Sequence, residues 1–175
     1  MKGYEHFKQL EGFPRKSLVS RLINVLAGSG DSKWLEKAYA VVLSIVNERK
    51  QRQLLDQEAL TQLCLRLAST QIPVPASTVL RTMVDMEEYP SVNFWSTVVT
   101  HMVKTYNGAC LASEIVIEMC YFFKDGRVDP RKRSNQPLLS MKENTEAFNI
   151  ALNGLLAFGV TRKAEELLEL MTRVG

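Results

Sequence analysis

Cysteine, histidine and glycine are sparse or wrongly spaced in this chain, and each shortage removes a class of function. The three cysteines, Cys64, Cys110 and Cys120, are odd in number and form no CxxC pair, so neither a disulfide framework nor a thiolate metal site is indicated. Cys64 and Cys120 fall within apolar helical runs, and the expectation is a reduced, intracellular protein whose thiols pack as small hydrophobes. The two histidines, His6 and His101, lie far apart with no acidic or cysteine partner at ligand spacing. No glycine-rich phosphate loop and no GxSxG elbow is present. No metal, no cofactor and no enzymatic activity are expected. No apolar run approaches the roughly 18 residues needed to cross a bilayer, so no membrane partner is expected. The opening stretch "MKGYEHFKQLEGFPRK" has neither the apolar core of a secretory signal nor the Arg/Ser richness of a transit peptide. Net charge is only +3, an excess compatible with a polyanionic partner but too small to demand one.

What the chain does have is a globular composition, 46% hydrophobic and 23% charged over 175 residues, enough for one domain with a real core. From Ser17 onward, apolar residues recur with helical periodicity and almost no period-two alternation. Punctuation falls at "GSG" (28–30), "IPVP" (72–75), Pro90, Gly108, "DGRVDP" (125–130) and Gly159. The pattern predicts about eight helices of roughly 12–16 residues and an all-α fold.

The helices repeat. Ala164 is followed seven residues later by Met171, and the pair recurs as Ala112 with Met119, Ala76 with Met83, and Ala38 with Ile45. Upstream of each alanine stands an apolar or aromatic residue (Val19, Leu60, Trp95, Phe148), then a polar one (Ser20, Thr61, Ser96, Asn149), then a small apolar doublet. A small alanine lets the paired helix approach closely, and residues three or four positions away should line the seam: Leu35, Val41 and Val42, then Val79, Leu80, Ile115 and Val116, then Leu167 and Leu168. One hairpin cannot bury both faces, so stacked hairpins, an α-solenoid, are expected rather than a bundle with chance recurrences. In the last helix, Leu167, Leu170 and Met171 should be partly exposed, implying a longer array or self-association.

The stretch "AFNIALNGLLAFGVTRKAEELLELMTRVG" resembles the pentatricopeptide repeat, with Phe148, Asn149, Leu152, Gly154, Gly159, Ala164, Leu167 and Met171 in register, and "YPSVNFWSTVV" is similar to the family's repeat junction. The tetratricopeptide repeat is a near relative whose first-helix aromatic signature is missing here. The resemblance divides the chain into an extension (1–15), repeats at about 16–56, 57–91, 92–130 and 145–175, and an insertion at 131–144. It implies a right-handed superhelix of helical pairs that binds single-stranded RNA in mitochondria or chloroplasts, reading one base per repeat. By that scheme the base-reading positions are Ser20, Thr61, Ser96 and Asn149, partnered by the repeat-terminal Asp56, Ser91 and Asn144. Hydroxyl with Asp resembles a guanine reader and hydroxyl with Asn an adenine reader, while Asn149 leans to pyrimidine. Where the family places an aliphatic residue before the aromatic, this chain has Glu58, Asn93 and Glu146, and its late first-helix lysine survives only as Lys104.

The insertion carries Arg131, Lys132 and Arg133, with Arg127 nearby. Arg131, Lys132, Arg133 and Lys104 are candidates for gripping an RNA backbone, and the basic run could alternatively be a localisation signal; a solvated, flexible loop is the plainer expectation for 131–144. Trp95 and Phe148 could stack bases, although aromatics at this register more often belong to the core. The expected function is therefore non-catalytic, organellar RNA binding. A protein-interaction scaffold of the same fold is the leading rival, and an oligomerisation unit is a third possibility.

Overall fold

A computed structural model describes residues 15–143 and 145–174; among these there are nine α-helices, two short 3-10 segments and no strand. The helices are α1 (Lys16–Gly28), α2 (Ser32–Asn47), α3 (Gln57–Ser69), α4 (Pro73–Asp85), α5 (Val92–Met102), α6 (Tyr106–Lys124), α7 (Gln136–Glu143), α8 (Glu146–Ala157) and α9 (Thr161–Val174). Helices α1, α3, α5 and α8 pack one against the next as a first layer, and α2, α4, α6 and α9 form a second. This is the all-α solenoid that the repeat predicts.

Local chemistry starts and stops these helices. Asp31 caps α2 by accepting from the Lys33 N–H (2.8 Å), and Asp56, Ser91 and Thr105 do the same for α3, α5 and α6. Pro73 opens α4, where a missing N–H costs nothing. Four helices end in one motif, in which a left-handed residue reverses the chain and two N–H groups return to the last-turn carbonyls. In α8 that residue is Gly159 (φ 71°), with Val160 N–H bonded to Leu155 O at 2.9 Å. Helix α6 uses Gly126, whereas α3 and α4 use Gln71 (φ 62°) and Glu87 (φ 56°).

The packing follows the repeat. Ala38, Ala76, Ala112 and Ala164 are all buried, as are the expected seam residues apart from Leu168, which is 51% exposed. In α9 the inward face is Ala164, Leu167 and Leu170, against α6 and α8; Leu168 falls about 100° round the helix from Leu167 and points away. Of the stripe expected to be partly exposed, Leu167 and Leu170 are buried and Met171 is half-buried. Trp95 and Phe148 belong to the core, as do Cys64 and Cys120. Burial pushes the Cys120 thiol up to about 11, and the Cys64 thiol higher still.

Two expectations change. The stretch after α6 is not a solvated flexible loop: it contains α7, one helix more than the eight expected, whose Leu138 and Met141 are fully buried, and α7 packs beside α5. Two apolar residues at i and i+3 among polar ones suffice to pin a short helix to a neighbour. Gly108 lies inside the first turn of α6 rather than between helices. A Cβ there would meet the Met102 carbonyl oxygen at 2.0 Å, so this glycine serves close approach rather than chain reversal.

Candidate nucleic-acid interface

The four first-layer polar positions occupy equivalent places: Ser20, Thr61, Ser96 and Asn149 each fall within the first five residues of α1, α3, α5 and α8. The helices that carry them pack one against the next. Their environments differ. Ser20 and Thr61 are half-buried, and each hydroxyl donates to the carbonyl one turn back, Lys16 O at 3.0 Å and Gln57 O at 2.7 Å. Ser96 is buried, and its hydroxyl has no partner among the described residues. Asn149 is exposed, with its amide on Thr145 Oγ1 at 3.3 Å.

The repeat-terminal candidates sit at the helix entrances. Asp56 and Ser91 are the N-caps of α3 and α5; Asn144 lies outside the described residues. Capping occupies one acceptor of each side chain and fixes it at the helix entrance. Ser20 and Asp56 come together in an open groove of about 770 Å³ between α1 and α3, which Lys16, Arg21 and Asn24 also line. Glu58 stands in the same groove. With Ser17, the groove thus offers two hydroxyls, an amide, two cations and two carboxylates, a set suited to polar recognition of a base edge and its phosphate.

The backbone candidates divide between the two edges of the solenoid. Lys104 follows α5, about 12 Å along the helix from Ser96, and its ammonium lies 3.3 Å from His101 Nδ1. Arg131, Lys132 and Arg133 are exposed on the opposite edge, where chain passes from one hairpin to the next. Lys132 pairs there with Glu87, whose hydrogen bond and then charge push the ammonium pKa up. Arg127 pairs with Asp125 at 2.9 Å and covers the Phe122 ring. What the sequence did not reveal was the partnering of these cations: Glu87 precedes Lys132 by 45 residues, and only folding brings them together.

A family model described as "At1g68980, TPR repeats" matches residues 1–132. The chain is 49% identical over 172 residues to the mitochondrial pentatricopeptide repeat-containing protein At1g03100 of Arabidopsis thaliana. It is 35% identical over 171 residues to the pentatricopeptide repeat-containing protein At4g17616 of the same plant. Both alignments cover 98% of this chain, which spans 22% and 25% of those relatives. No solved structure matches. With stacked hairpins, buried anchor alanines and these likenesses in agreement, the chain belongs to the At1g68980 family of TPR-type repeats and is a helical-repeat protein of the pentatricopeptide class.

Proposed function

We propose that this chain is a non-catalytic module that binds single-stranded RNA along its first-helix layer, in four units bounded as the sequence divides them, within a mitochondrial protein. The observation that carries the reading is the groove in which Ser20, Asp56, Lys16 and Arg21 converge. Organellar placement rests on the mitochondrial relative. Duplex RNA should bind less well than single strands, since base edges must be accessible. Affinity should fall only shallowly with salt, because few cations face the groove.

Asp56→Asn tests the reading sharply. Asn caps a helix as well as Asp does, so α3 should persist, but the groove exchanges a carboxylate for an amide. Binding of short RNAs differing at one base should shift from guanine toward adenine by about tenfold, or ~1.4 kcal/mol. A folded variant with unchanged base preference, or a parent chain that binds no single strand at low salt, would end the RNA reading. The second reading, a protein scaffold, draws on Glu58 in the groove and on the buried hydroxyl of Ser96.

A further inference from the structure

The turns inside the four hairpins form one continuous edge. Arg66 Nη1 would lie 3.8 Å from a Cβ on Gly30, joining the first two turns. Gln71 Nε2 donates to His101 O at 3.3 Å, joining the second to the third. The Tyr106 and Phe158 rings meet edge to face, 6.1 Å between centroids, joining the third to the fourth. From the second turn onward this edge exposes Val74, Tyr106, Leu156 and Phe158, with Tyr106 at 59%. Arg66, Lys104 and Arg162 are exposed beside them and in no ion pair among the described residues. No Asp or Glu occurs in 69–76, 101–107 or 157–163; the acidic residue nearest in sequence is Glu165, in the first turns of α9.

We propose that this hairpin-turn edge, from Val74 to Phe158, is a docking surface for an extended protein segment in which carboxylates alternate with apolar side chains. From the second turn onward each turn offers one unpaired cation beside exposed apolar surface: Arg66 with Val74, Lys104 with Tyr106, Arg162 with Leu156 and Phe158. Neighbouring helices lie about 8–10 Å apart, which is three residues of an extended polyproline-type chain at ~3.1 Å each. Such a segment would present an acid and an apolar side chain to every turn. A nucleic acid fits less well. Val74 and Leu156 have no ring face for a base, and the edge-to-face pair leaves no parallel slot. The proposal concerns the edge away from the Ser20–Asp56 groove, so loss of RNA binding there would leave it standing.

A fluorescein-labelled peptide of repeated Glu-Pro-Leu triplets, titrated with the intact chain at low salt and followed by anisotropy, tests it. Saturable binding is expected, weakened about tenfold or more by Lys104→Glu with Arg162→Glu, and separately by Tyr106→Ser with Leu156→Ser. Arg127→Glu, on the other edge, should leave it unchanged, with circular dichroism confirming the fold of each variant. Absence of binding, equal binding of a Lys-Pro-Leu peptide, or indifference to the charge reversals would overturn the proposal. So would a homopolymer RNA that displaces the peptide and itself loses affinity on charge reversal, since the edge would then be a nucleic-acid track.

Discussion

The edge made by turns inside hairpins and the edge made by junctions between them flank the same helices but are held by different physics. The turn edge is closely packed: Gly108 admits the Met102 carbonyl, a Cβ on Gly154 would sit 2.7 Å from Val103, and the Gln71 amide reaches across to His101 O. Caps occur on both edges, Asp31 and Thr105 at the turns and Asp56 and Ser91 at the junctions, but the junctions add ion pairs tying Lys132 to Glu87 and Arg127 to Asp125. Among the described residues, the turn edge leaves Arg66, Lys104 and Arg162 unpaired beside exposed apolar groups, whereas the junction edge pairs Lys132 and Arg127 with carboxylates.

The difference is most easily broken with one methyl group. Gly108→Ala drives a Cβ into backbone that cannot rotate away, and should cost about 3 kcal/mol, the upper end for overpacking. Gly126→Ala, at a junction with open space around it, should cost only the left-handed backbone penalty of about 1–2 kcal/mol. Denaturant melts of the two variants compare them directly. Equal losses would mean that the turn edge is no more tightly packed than the junctions.

That contrast also explains what could be read in advance. The repeat was legible because Ala38, Ala76, Ala112 and Ala164 carry a packing constraint in their own identity, and their seam partners follow at helical spacing. Stops at Gly126 and Gly159 were legible as glycines; those at Gln71 and Glu87 were not, because nothing in either residue type announces a positive φ. Helix α7 was missed because two apolar residues among polar ones resemble a loop until α5 is beside them. For the candidate interface, sequence gave the equivalent positions of Ser20, Thr61, Ser96 and Asn149 but not their unequal burial. Burial depends on the neighbouring hairpin, which lies dozens of residues away in the chain.

The two non-glycine stops sharpen the comparison, since one lies on each edge. Gln71→Gly and Glu87→Gly each remove a left-handed penalty of about 1 kcal/mol. Gln71→Gly also loses the bond to His101 O, a neutral hydrogen bond of about 0.5–1.5 kcal/mol. Glu87→Gly loses an exposed ion pair of about 0–1 kcal/mol. Glu87→Gly should therefore be the more stabilising, by a few tenths of a kcal/mol, and thermal melts should order them so. If Gln71→Gly came out ahead, the hydrogen bond linking two turns would contribute nothing.

The smallest expected effect is electrostatic and belongs to the turn edge alone. Burial first, and then the charge of Lys104, hold the His101 pKa below its ordinary value of 6.5. A histidine with a depressed folded pKa takes up its proton more readily when unfolded, so the unfolded chain binds more protons as pH falls. Stability is unaffected by this group well above 6.5, begins to fall as pH drops through 6.5, and levels off below the folded pKa. Lys104→Ala removes the secondary cause and leaves burial in place, so the acid loss should shrink without vanishing. An NMR titration of the His101 ring gives the folded value directly, and it should rise in Lys104→Ala while staying below 6.5. An unchanged titration would mean that solvent screens the Lys104 ammonium from the ring despite their 3.3 Å separation. The cation would then be directed outward, where an acidic partner segment could meet it.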